Sequence, residues 1–309
     1  MLWVTITAIS AVFYAFGGFV DNYIADTHFR RYNSAAMVFF SLITSFSLMV
    51  AFGVMSGWDN LVVGINNSGM WLCIVAGFLD TAGYVAYFMA LKGEEATGAV
   101  IMGQLSPVFA LILGVTLAGE VFGIPAIAAF AMILIGVAVV TFGARKRGGN
   151  KMTPKSAWLM VVSSIMWAGS NVIFRMGAKD EENYLLTLFF VQIGIFVSVA
   201  LLMLIMKSWQ NDIRKYLKKK APWKIALNVG NKGMAEVANF IQRYAFTLTS
   251  VALVSATKNV LTLIFTFVLG IVLSRIVPKF GREKLGRRAV VSYLIAVIFA
   301  TIGLILMPK

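Results

Sequence analysis

Residues 143–156 read GARKRGGNKMTPKS, a run with five Lys/Arg and no acid near the middle of a 309-residue chain. On each side of this run lie five long apolar segments. They are Leu2–Val20, Ala35–Met55, Trp71–Leu91, Thr97–Ala118 and Ile124–Phe142, then Ala157–Phe174, Leu185–Met206, Ile225–Phe246, Val251–Leu273 and Ala289–Met307. A helix needs about 20 apolar residues to cross the hydrocarbon core, and each segment meets that length approximately. None shows the two-residue alternation of a membrane β-barrel strand. The expected fold is therefore an all-α membrane protein with ten transmembrane helices in two five-helix repeats, 1–143 and 157–309, joined by a basic linker at 144–156. Five spans is an odd number, so the second repeat would be inverted relative to the first, the arrangement associated with alternating access.

Composition supports the same class. Apolar residues make up 60% of the chain and charged residues 13%, against about 25% charged in soluble domains. Mean hydropathy is +0.84. The net charge of +14 does not indicate nucleic-acid binding, because the basic residues sit in short runs between apolar blocks, as in the loops of membrane proteins. One cysteine, Cys73, excludes an intrachain disulfide framework, and one histidine, His28, sits in a loop beside Arg30 and Arg31. No P-loop, Cys/His metal spacing or catalytic triad is present, so no cofactor and no enzymatic activity are expected. The first segment lacks a basic leading region and is read as a retained span.

Internal comparison gives a faint repeat. A shift of 155 residues sets YFMALKGEEATGAVIMGQ over QRYAFTLTSVALVSATKN, bringing Gln104 onto Asn259. A shift of 153 sets Tyr14 on Trp167 and Ala15 on Ala168.

Gly83–Val140, with Ala90-Leu91, Ser106-Pro107, Gly119-Glu120 and Gly136, resembles the EamA-type permeases of the drug/metabolite transporter superfamily. WAGSNVIFR (Trp167–Arg175) resembles the opening helix of that family's repeat. The resemblance implies a secondary transporter of the cell (inner, plasma) membrane, with its cavity lined by the third, fourth, eighth and ninth helices. The second half departs from the pattern: Arg275 stands where Glu120 predicts an acid, and Thr262 where Pro107 predicts a proline.

Charged residues inside the spans mark the candidate site, since each costs at least about 2.5–3.5 kcal/mol at the bilayer centre. In the eighth segment Asn228, Asn231, Lys232, Glu236, Asn239, Gln242 and Arg243 share one helical face. In the ninth, Ser255, Lys258, Asn259, Thr262 and Thr266 do so; in the third, Asp80, Tyr84 and Tyr87. A self-satisfied Lys232–Glu236 pair at i,i+4 is the structural alternative for the eighth-segment stripe. Asp80, Tyr84, Tyr87, Gln104, Asn228, Lys232, Glu236, Asn239, Lys258 and Asn259 are the candidate substrate-binding residues, with Asp80 and Glu236 as coupling carboxylates. Asp80, one position from the repeat equivalent of Glu236 and without a cation in its own helix, is the first choice for proton exchange. Three intramembrane cations against two acids leave one positive charge over, which points to an anionic group on the solute, bound by Lys258 with help from Lys232.

The expected function is export of a small polar metabolite, an amino acid or organic anion, with the bilayer, the solute and protons as partners. The alternatives are a flippase or enzyme acting on a lipid-linked anionic headgroup and, more remotely, a divalent-cation channel. The first, third, fifth, seventh and ninth loops hold 21 Lys/Arg against three on the other side. That count places those loops in the cytoplasm and both termini outside, whereas the family resemblance implies cytoplasmic termini.

Overall fold

The computed structural model describes residues 2–27, 37–91, 105–143, 153–179, 182–218 and 222–276, together with 291, 294, 295, 298, 299 and 302. Each apolar segment that falls within them is a helix, because a bilayer offers no water to satisfy the backbone and the helix satisfies its own. In chain order they are α1 (Leu2–Thr27), α2 (Phe39–Ser56), α3 (Trp58–Ile65), α4 (Ser68–Leu91), α5 (Ser106–Ala118) and α6 (Ile124–Gly143). The second half supplies α7 (Pro154–Ala178), α8 (Tyr184–Ile205), α9 (Lys207–Lys218), α10 (Pro222–Leu248) and α11 (Val251–Ile276). The tenth expected span is helical at its few described positions. Residues 97–104 of the expected fourth span, Gln104 included, lie outside the described residues.

Two short helices, α3 and α9, were not expected. Each follows the second span of its half. In α9 the apolar residues Trp209, Ile213 and Tyr216 are buried, while Lys207, Arg214, Lys215 and Lys218 are exposed on the opposite side. Among the described residues six helices are long and apolar enough to cross a bilayer, and α10 is not one of them. Its charges are turned inward: Lys232, Glu236 and Arg243 are buried, whereas large apolar side chains such as Phe46, Val54, Ile112 and Leu204 are exposed. This is a protein with apolar groups on its surface and charges inside, suited to lipid rather than water.

Local signals set the helix ends. The Thr153 side chain caps α7 by accepting from the Ser156 N–H at 3.2 Å, with Pro154 in the first turn. Gly119 ends α5 in the left-handed region at φ 62°. The next N–H, that of Glu120, then closes back on the Gly114 carbonyl at 3.0 Å.

The helices pack in a pattern that maps onto itself when the two halves are exchanged. The α4–α7 and α1–α10 pairs exchange, as do α4–α8 with α2–α10 and α5–α7 with α1–α11. The α2–α8 and α5–α11 pairs map onto themselves. Individual bonds follow. Ser10 Oγ donates to the Ala238 carbonyl at 2.9 Å, and Ser163 Oγ donates to the Gly83 carbonyl at 2.9 Å. Ser10 and Ser163 differ by 153 positions and Gly83 and Ala238 by 155, the two shifts that align the halves.

Glycines permit the tightest crossing. A Cβ on Gly77 or Gly194 would run into the backbone of the facing helix where α4 meets α8, whereas one on Gly230 of α10 would meet nothing within 4 Å. Gly77→Ala is expected to destabilise the protein by roughly 1–3 kcal/mol. Gly230→Ala should be neutral or stabilising by about 0.5–1 kcal/mol. Thermal unfolding of the detergent-solubilised variants checks the contrast, and equal melting temperatures would contradict this packing.

Candidate functional site

The site is built on α10, where Lys232, Glu236, Asn239 and Arg243 are spaced four, three and four residues apart. At 100° per residue they form a column within about 60° of arc. Each member is met by a different neighbour. Lys232 Nζ lies 3.6 Å from Asp21 Oδ1 of α1 and packs over the rings of Phe88 (4.1 Å) and Tyr84 (5.0 Å) of α4. Glu236 accepts from Gln192 Nε2 of α8 at 3.0 Å and, at a long 3.5 Å, from Asn239 Nδ2. Asn239 Oδ1 accepts from the Tyr14 hydroxyl of α1. Arg243 Nη2 donates to Asp80 Oδ2 of α4 at 3.0 Å, and its guanidinium lies 5.4 Å from the Phe174 ring.

The Lys232–Glu236 pair that would make the column self-satisfied is not formed. Lys232 turns to α1 and Glu236 to α8, so Glu236 has only neutral amides as hydrogen-bond partners among the described residues. Both amides have a donor end and an acceptor end, and Gln192 Oε1 is itself without a partner among the described residues. The Glu236 pocket can therefore serve a carboxylate or a carboxylic acid.

Lys258 of α11 makes no ion pair or hydrogen bond among the described residues. Its ammonium sits 4.6 Å from the Tyr14 ring centre. Asn259 beside it is buried with Nδ2 unpartnered among the described residues, as are the hydroxyls of Ser255 and Thr262. Tyr84 and Tyr87 pack against Trp167 of α7 with ring centres 5.4 Å apart in each case, forming an aromatic wall. The Tyr84–Trp167 contact is the exchange partner of Tyr14–Asn239, at the same two shifts of 153 and 155. Helices α4 and α10 are not among the closely packed backbone pairs; long side chains span the gap between them.

Of the candidate residues, Asp80, Tyr84, Glu236, Asn239 and Lys258 come together around Tyr14; Lys232 joins them through the Tyr84 ring and Tyr87 through Trp167, and Asn259 flanks Lys258. Asn228 stands apart, donating to the Tyr216 hydroxyl at 3.0 Å and so docking α9. Asp80 has no cation in its own helix, as expected, but receives one from α10. The excess of one positive charge is also revised. Asp21 lies inside α1, one residue beyond the expected end of that span, and gives three acids for three cations. Asp21, Tyr14 and Gln192 were missed. Gln192 could have been found as the lone amide in the apolar run of α8.

Away from the column, Arg175 at the end of α7 is paired with Glu120 just past α5. A Cβ on Gly114 would meet Glu120 Oε2 at 2.8 Å, so the carboxylate sits in a glycine notch.

Residues 1–142 match the EamA-like transporter family. A solved crystal structure has the same fold, with a TM-score of 0.63 and 17% identity over 98% of this chain and 96% of that one. No curated protein matches.

The Asp21–Lys232 pair yields a stability prediction. Breaking a buried pair by removing one partner costs about 3–5 kcal/mol, because the other charge stays buried. Asp21→Asn should therefore lower stability by that order, and adding Lys232→Met should recover most of the loss. Equilibrium unfolding of the two variants in bicelles is the measurement; an Asp21→Asn protein as stable as wild type would refute the pairing.

Proposed function

We propose that this chain, a multi-pass membrane protein whose residues 1–142 match the EamA-like transporter family, is a secondary transporter of a small polar metabolite. The family is one of transporters rather than enzymes, and the fold likeness extends over nearly the whole chain, second half included. The observation that carries the reading is the column on α10. Charges are held inside a helix bundle at membrane depth, facing a gap between α4 and α10, and two of them, Glu236 and Lys258, have no ion-pair partner among the described residues.

Those two charges define the solute. An amino acid fits, with its carboxylate toward Lys258 and its amine toward Glu236, and the protein stays neutral when it binds. Asp80, already held by Arg243, suits the amine less well than the sequence alone suggests. Tyr84, Tyr87 and Trp167 would face the remainder of the solute, with Asn239 and Asn259 supplying amide contacts.

Export across the cytoplasmic membrane by alternating access is the mechanism we infer. Two five-helix halves of opposite orientation are supported by the odd number of apolar segments in each. They are supported also by the exchange of helix pairings and by the Ser10–Ala238 and Ser163–Gly83 bonds. A rocking motion of one half on the other would expose the α4–α10 gap to each side in turn.

For coupling, Glu236 is favoured over Asp80. An amide pocket tolerates both protonation states, whereas Asp80 serves a guanidinium that needs its charge. Glu236→Gln is expected to abolish proton-driven uphill transport in proteoliposomes and, with the counter-charge of the solute amine gone, to weaken solute counterflow and remove its pH dependence. Uphill transport that persists in Glu236→Gln with unchanged pH dependence would refute the assignment.

A further inference from the structure

We infer that Arg243 is the second cationic ligand of the anion-binding end of this site, taking the solute carboxylate together with Lys258 while Asp80 holds the guanidinium in position. The inference rests on the transporter reading and deepens it.

Arg243 is 2% exposed, among the most buried large side chains of the protein. Among the described residues only Nη2 has an acceptor, a single oxygen of Asp80; Nε and Nη1 are buried with none. Buried donors are almost always satisfied, and a guanidinium with two bare nitrogens is built to receive a further acceptor. Asp80 engages it through one oxygen, which leaves donors of the planar fork open for the paired oxygens of a carboxylate.

The charges around Arg243 decide what that acceptor is. Lys258 lies within Coulombic reach of Asp80. Tyr14, whose ring supports the Lys258 ammonium, lies within reach of Arg243, Asp80 and Glu236 alike. With Glu236, also within reach of Arg243, matched to the solute amine, Arg243 and Lys258 against Asp80 leave one positive charge for the other end of the solute. One carboxylate neutralises it, whereas a phosphate dianion would overshoot. Lys232, first expected to assist Lys258, is taken up by Asp21 and the rings of Tyr84 and Phe88. Asp80 is thus a positioning residue and Arg243 a ligand.

The test is proteoliposome counterflow of a radiolabelled mixture of the twenty L-amino acids, competed by free amino acids or by their α-carboxamides. Wild type should be inhibited by the acids and only weakly by the amides. Arg243→Gln should lose about 10- to 100-fold in apparent affinity for the acids and with it the preference for acid over amide. Arg243→Lys, which keeps the charge but not the fork, should lose about tenfold in affinity and retain the preference. Asp80→Asn should retain the preference as well. Counterflow in Arg243→Gln with the acid preference intact overturns the inference and spares the transporter reading. Should Arg243→Gln fail to fold, unchanged acid affinity in Arg243→Lys overturns it equally. No counterflow of any amino acid by the wild type would overturn both.

Discussion

A charge placed in hydrocarbon must find a partner or leave, and α10 carries three. That constraint organises the molecule. Lys232 draws Asp21 and so fixes α1; Glu236 draws Gln192 and fixes α8; Arg243 draws Asp80 and fixes α4. Asn228, lower on the same helix, anchors α9 through Tyr216. Each of these contacts is a long side chain reaching across to another helix. Across the polar face of α10, α4 is reached only by long side chains, while small residues allow close packing elsewhere, as where Gly77 of α4 faces Gly194 of α8. The bundle is tight on its glycine seams and bridged by long polar side chains between α4 and α10.

The lengths of the helices and the polar face of α10 were legible in the sequence because both are properties of one helix: a run of apolar residues, and a period of 3.6. Partnerships between helices were not. Asp21 sits at the ragged end of an apolar run, where nothing local distinguishes a loop acid from one buried against a lysine 211 positions away. Omitting it left the count of intramembrane charges unbalanced. The anion first inferred from that imbalance now rests on a narrower one, at Arg243, Lys258 and Asp80. Helix α9 was overlooked because KSWQNDIRKYLK is too polar to span a bilayer, although Trp209, Ile213 and Tyr216 recur at helical spacing.

The repeat was faint in the sequence for a related reason. The bonds that relate the halves end on backbone carbonyls: Ser10 on Ala238, Ser163 on Gly83. Every residue has that acceptor, so the residue supplying it is free to change, and only the serine donors leave a trace. Where side chains meet side chains the chemistry has diverged while the geometry has not. Tyr14 with Asn239 is a hydrogen bond, and its exchange partner, Trp167 with Tyr84, is an aromatic contact. Both contacts cross between the halves, one polar and the other aromatic.

The central claim is that the polar column of α10 lines a water-accessible solute site, with its opposite side facing lipid. Cys73 is the sole cysteine and is buried, so a Cys73→Ser background allows one thiol to be placed at a time. In nanodiscs, where both membrane faces are reachable, a hydrophilic thiol reagent should modify Asn239→Cys, and an excess of amino acids should slow it. Val237→Cys, on the 40% exposed outer face of the same helix, should stay unmodified. Reaction at position 237 with none at 239 would contradict the account.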